Sequence, residues 1–112
     1  IRRELHEYLE IERQKGRHII GFGAAAKGTV LLNYCGLNNS IIDYIVDGTS
    51  YKQGKFMPGA NIPIYPESKL SQEPKGTTVL ILAWNFKKEI IGKLKNRGFT
   101  FVIPIPRMEI IR

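Results

Sequence analysis

The sequence predicts an α/β domain: a Rossmann-like parallel sheet of about 4–5 strands with helices on both faces. Three observations carry this reading. Short, nearly continuous apolar runs alternate with helical patterns, which is how strands buried on both faces look in sequence. A glycine-rich turn, Gly21-Phe22-Gly23-Ala24-Ala25-Ala26, follows the first such run and opens a helix. The chain has 112 residues, near the commonest size for one domain. A chain of that length buries roughly 65% of the surface its unfolded form exposes, so one core suffices.

The elements follow in order. Ile1, Leu5, Tyr8 and Leu9 share one helical face, and this helix stops near Lys15-Gly16. His18-Ile19-Ile20-Gly21 reads as a buried strand, and residues 25–34 as a helix closed by Gly36-Leu37. Ile41-Ile42-Asp43-Tyr44-Ile45-Val46-Asp47 is a second strand ending in an acid. Residues 48–61, rich in glycine, read as an irregular loop, with residues 48–59 mobile until a ligand or partner closes over them. Ile62-Pro63-Ile64 is a very short extended piece, and residues 66–70 form one helical turn. Residues 77–82 are the clearest strand, and Asn85 is an N-cap for a helix with Phe86, Ile90 and Leu94 on one face, stopped by Gly98. Residues 100–103 make the last strand, because Pro104 and Pro106 prevent further internal pairing.

Composition excludes several classes. Apolar residues are 43% and charged residues 24%, which argues against a disordered or fibrous chain. Cys35 is the single cysteine, so no internal disulfide forms. No apolar run approaches the roughly 20 residues that span a bilayer, and the expectation is a soluble cytoplasmic protein with no membrane partner. The net charge of +7 comes from 17 Lys and Arg against 10 Asp and Glu, and suits an anionic partner. The basic residues are scattered and match no nucleic-acid motif, so nucleic acid is not the expected partner. The chain opens on Ile1 inside a helical pattern, which predicts a domain cut from a longer protein. Residues 1–16 would then be a leading helix linked to a missing upstream domain, and residues 17–112 the Rossmann-like domain.

The turn is the strongest site signal. Gly21 permits the tight bend, Gly23 lets an anion approach the backbone, and Ala26 allows close helix–sheet packing. The free N–H groups of Gly23, Ala24, Ala25 and Ala26 then face the anion, with the helix dipole behind them. The alternative is a βα turn that binds nothing. Lys27 lies in the first helical turn, where its charge opposes the dipole unless an anion sits between them. Asp47, 26 positions past Gly21, either holds ribose hydroxyls or starts a turn with Gly48. The loop brings Tyr51, Lys52, Gln53, Lys55 and Phe56, types suited to a base and phosphates. Trp84 is either core or pocket wall, and Asn85 is a cap whatever else it does. His6 and His18 are isolated, and no metal spacing or catalytic constellation stands out.

Further segments make the pattern specific. Gly21 to Gly28, Leu31-Leu32-Asn33-Tyr34-Cys35-Gly36, Val46-Asp47, Lys52-Gln53-Gly54-Lys55, Pro58-Gly59, Ile62-Pro63-Ile64 and Ala83-Trp84-Asn85 occur in that order. Together they resemble the C-terminal domain of the S-adenosylmethionine (SAM)-dependent sugar C-methyltransferases, from about residue 17 to the end. The resemblance implies a three-part enzyme with a zinc-binding segment, a SAM-binding domain and this Rossmann-like domain. It implies that this domain helps hold a nucleotide-sugar, and that the partner is the upstream SAM-binding domain of the same chain. SAM and the catalytic base would belong to that missing part, so these 112 residues would bind no cofactor and be inactive alone. The substrate-binding candidates are Gly21, Gly23, Ala24, Ala25, Ala26, Lys27, Asp47, Lys52, Gln53, Trp84 and Asn85, with none catalytic and none metal-binding. Two alternatives stand beside this reading: an NAD(P)-binding module, and a non-catalytic interaction domain.

Overall fold

The computed structural model describes residues 2–112; Ile1 and the side chain of Tyr51 lie outside the described residues. Helix α1 (Arg2–Gln14) leads into β1 (Ile19–Phe22), α2 (Ala26–Cys35), β2 (Tyr44–Val46) and β3 (Ile64–Tyr65). Then follow β4 (Thr78–Ile81), α3 (Lys87–Leu94), β5 (Thr100–Ile103) and β6 (Glu109–Ile111). Short 3₁₀ turns occupy Ser50–Lys52, Glu67–Gln72 and Trp84–Phe86. One sheet of order β3-β2-β1-β4-β5-β6 results, parallel from β3 to β5 with β6 antiparallel at the edge.

Strand periodicity of two divides the core. Ile19, Ile45, Leu80 and Val102 point to one face, where Leu5 and Leu9 of α1 and Leu31, Leu32 and Cys35 of α2 cover them. Ile20, Tyr44, Val79 and Phe101 point to the other, against Leu70 and, from α3, Ile90 and Leu94. Helices therefore flank both faces, as the sequence predicts. Covering both sides is what parallel strands require, since neither face can meet water. The helix ends also follow from sequence. Leu37 N–H bonds to the Leu32 carbonyl at 2.9 Å, with Gly36 left-handed at φ 67° between them.

Four expectations need correction. The sheet has six strands rather than four or five. Pro104 and Pro106 do not end the pairing: they sit in the reversal after β5, and the chain returns as β6, with Ile110 opposite Val102. Proline bars a ladder bond only at its own position, and an edge strand beyond it is unaffected. The second strand starts at Tyr44, because Ile41 and Ile42 donate their N–H groups to the Asn38 carbonyl in a turn. The last helix ends at Leu94, four residues before Gly98, and Phe86 is exposed instead of facing the core.

The loop after β2 is also less irregular than its glycines predict. Gly54 N–H bonds to the Ile64 carbonyl at 2.9 Å, Ile64 N–H to Lys55 at 2.8 Å, and Met57 N–H to Ile62 at 2.8 Å. Met57, Ala60 and Ile62 are buried in the α1–α2 core. The loop is thus a folded-back hairpin pinned by apolar anchors. Native-state hydrogen exchange should find the amides of Gly54, Met57 and Ile64 as slow as strand amides. Exchange at loop-like rates across residues 48–59 would restore the expectation of a mobile segment.

Candidate functional site

The C-terminal ends of β1, β2 and β4 meet at one edge of the sheet, and the glycine turn, Asp47 and Trp84 follow them there. Gly23 lies at φ +107°, a region L side chains rarely adopt. A Cβ on it would come within 2.7 Å of the Ala83 Cβ and 3.1 Å of the Ala83 nitrogen. Glycine is required here because the turn passes directly against the chain leaving β4. Close helix–sheet packing comes from Gly28, not from Ala26 as the sequence predicts. A Cβ on Gly28 would lie 3.0 Å from the Leu82 Cβ, whereas Ala26 is exposed. The motif position and the packing position differ because α2 begins at Ala26, so only its third residue turns toward the sheet.

Asp47 braces the turn. One carboxylate oxygen accepts from the Ala24 N–H at 2.7 Å and the other from the Thr49 N–H at 2.7 Å. Burial raises the affinity of this carboxyl for a proton, but the two N–H groups, the Thr49 hydroxyl and the Lys52 charge outweigh it. The Asp47 carboxyl is held below the ordinary aspartate value. Gln53 donates from Nε2 to the Asp47 carbonyl at 2.9 Å, closing the same loop onto β2. Of the two readings of Asp47, the turn with Gly48 is present, and the same carboxylate also engages the glycine loop.

Two of the four expected anion-facing N–H groups are consequently taken. Gly23 donates to the Val46 carbonyl at 2.9 Å, and Ala24 donates to Asp47. Ala25, Ala26, Lys27 and Gly28 have N–H groups with no protein acceptor among the described residues, and no side chain caps α2. Ala25, Ala26 and Lys27 are exposed there, and Lys27 has no ion-pair partner among the described residues. Beside this helix start lies a cleft of about 510 Å³, with Ala24, Ala25, Ala26, Thr29 and Val30 on one wall. Lys52, Lys55, Phe56, Met57 and Pro58 form the other.

The remaining candidates do less. Gly21 is buried in the core, where an added Cβ would meet Ile45 at 2.9 Å. Trp84 is half-buried and packs against both apolar clusters. Asn85 is not the cap that the sequence predicts. It sits exposed inside the 3₁₀ turn Trp84–Phe86, and α3 starts only at Lys87, after Phe86, with no side-chain cap. Val30 escaped the sequence reading, although Ala26, Val30 and Tyr34 form a second stripe at i, i+4, i+8 beside the buried one.

The opposite edge of the sheet holds the other buried charges, and they serve the fold. Glu12 accepts from Arg17 at 2.9 Å and from the Thr78 hydroxyl at 3.2 Å. His18, which looks isolated in sequence, contacts Glu73 through Nδ1 at 2.8 Å, and the Tyr44 hydroxyl donates to the same carboxylate at 2.7 Å. Burial and that hydrogen bond push the Tyr44 phenol well above its ordinary value. Among the described residues no group of three or more His, Cys, Asp or Glu is placed to hold a metal, and no helix is long and apolar enough to cross a membrane.

A parallel sheet wound in both directions from β1, with a glycine turn at its C-terminal edge, defines a domain of the Rossmann-like class. Within that class the chain belongs to the C-methyltransferase C-terminal domain family, whose model matches residues 1–106. It is similar to C-methyltransferase NovU of Streptomyces niveus, with 37% identity over 115 residues. That match covers 99% of this chain and 27% of the relative, so the chain spans about a quarter of that protein's length.

Proposed function

We propose that this domain is the substrate-side wall of a SAM-dependent C-methyltransferase acting on a nucleotide-linked sugar, with the diphosphate seated at the start of α2. One observation carries the reading: the N–H groups from Ala25 to Gly28 have no protein acceptor among the described residues, and Ala25 and Ala26 line a cleft rimmed by Lys52 and Lys55. The helix dipole adds positive potential there, and Lys27 is exposed in the same first turn of α2. The sequence-based seat, Gly23 to Ala26, accordingly moves two residues along the chain. Lys52 stays within it as a cleft residue, whereas Asp47 and Gln53 support it from behind.

The methyl donor is assigned to the part of the protein upstream of this domain. Asp47 is engaged in the turn, where each of its oxygens takes one backbone N–H group, so its first role is to hold the glycine loop. Family membership in a C-methyltransferase C-terminal domain supports the same division of labour.

Calorimetric titration of the protein with nucleoside diphosphate sugars and with NAD tests this. Diphosphate sugars should bind more tightly than NAD. Lys27→Ala should weaken the sugar nucleotide roughly 10- to 100-fold, since a charge-assisted contact contributes about 1.5–3 kcal/mol. Its melting temperature should stay level or rise slightly, because a cation leaves the positive end of a helix. Unchanged affinity with a lowered melting temperature would make Lys27 structural, and tight NAD binding alone would make the domain a dinucleotide module.

A further inference from the structure

Two clefts flank the start of α2, and they differ in charge. The α2–loop cleft carries Lys52 and Lys55 and no acid. The second, about 340 Å³, lies on the other side of the glycine turn, between the C-terminal ends of β1, β2 and β4 and the helix α3. Its lining includes Asp47, Glu67 and Glu89 against a single lysine, Lys93. Lys93 is already paired with Glu67 at 3.0 Å. This crevice is where the fold class binds dinucleotides, yet its lining keeps an excess of negative charge that repels a diphosphate.

The apolar rim of the first cleft is equally distinctive. Phe56 is 61% exposed and Val30 69% exposed, on facing walls. Phe56 does not hang loose. Its backbone pairs with Pro63 in a β-bridge, and the next residue is tied to Ile62 and buried. An exposed aromatic ring on a firmly held backbone, beside two lysines, suits one ligand chemistry: a flat heteroaromatic base stacked on the ring, with its phosphates toward the cations.

We infer that the nucleoside base of the ligand stacks on Phe56 in the α2–loop cleft, and that the switch-point crevice does not receive it. The inference rests on the diphosphate seat proposed above. It makes Phe56 the residue that separates nucleotides from other diphosphates, while the N–H groups and lysines bind both alike.

The probes are uridine diphosphate, thymidine diphosphate and inorganic pyrophosphate, each titrated calorimetrically into the protein and its variants. Phe56→Ala should weaken both nucleoside diphosphates roughly 5- to 100-fold and leave pyrophosphate unchanged. Phe56→Leu, which keeps apolar bulk without the ring, should show the same loss, and Phe56→Tyr should retain affinity. Glu89→Gln, in the crevice, should change nothing. Unchanged nucleoside diphosphate affinity in Phe56→Ala and Phe56→Leu overturns the base site, as does an equal loss for pyrophosphate. Weakened nucleotide binding in Glu89→Gln overturns it too. If pyrophosphate responds to Lys27→Ala while the nucleotides ignore Phe56, the base site alone is wrong. If the unmodified protein binds no probe, the seat and the base site fall together.

Discussion

Replacing Gly23 by alanine should cost about 3–5 kcal/mol, a large share of the stability of a domain this size. Two effects add. The backbone at φ +107° disfavours any L side chain, at about 1–3 kcal/mol. The new Cβ also meets Ala83 at 2.7 Å, inside ordinary contact, with the Ala83 nitrogen at 3.1 Å behind it. Chemical denaturation of three further proteins separates these effects. Gly54→Ala has a similar backbone problem at φ +82° but nothing within 4 Å, so it should cost only about 1–2 kcal/mol. The double variant Gly23→Ala with Ala83→Gly should recover part of the loss beyond the sum of the single changes, while Ala83→Gly alone sets the baseline. Equal losses for Gly23→Ala and Gly54→Ala would mean that the close approach of the turn to Ala83 is not a real constraint.

The second large effect is at Asp47. Asp47→Ala leaves the Ala24 and Thr49 N–H groups without their acceptor, and should cost about 2–3 kcal/mol. That corresponds to roughly 10 °C in melting temperature for a domain near this size. Asp47→Asn keeps one acceptor oxygen and should lose about half as much. The effect has a pH signature. The folded-state carboxyl is held below its ordinary value, so the fold favours the ionised form. Its stabilisation is therefore complete at neutral pH and is lost as pH falls below about 4, through the folded-state value. The melting difference between the protein and Asp47→Asn should stay constant from neutral pH down to about 5 and shrink below about 4. A difference that persists undiminished into strong acid would show that the charge on Asp47 does not brace the turn.

These two residues show why the site was only half legible in sequence. Gly23 was recognisable because a strand, a glycine and a helix in sequence order have few structural solutions, and local spacing carries that information. The place of Asp47 at a strand end is visible in the sequence, but its partners are the N–H groups of Ala24 and Thr49. One of these is 23 positions away, and only the pairing of β1 with β2 brings it near. Lys55 and Phe56 stood out as types suited to a ligand. That they face the start of α2 depends on the loop folding back onto Ile62 and Ile64, which no local pattern announces.

The sequence by itself determined the class of fold, the order of helices and parallel strands, the glycine turn between the first strand and its helix, and the family. Apolar periodicity, glycine punctuation and motif order are local properties, and they survive without coordinates. The tertiary structure alone decided that the sheet gains a sixth, antiparallel strand, that Gly28 rather than Ala26 meets the sheet, and that the free N–H groups run from Ala25 to Gly28. It also decided which cleft beside α2 is basic and which is acidic. The physical reason is common to all four. Each depends on which backbone groups and charges distant segments bring together, and hydrogen bonds between such segments are settled only when the sheet closes.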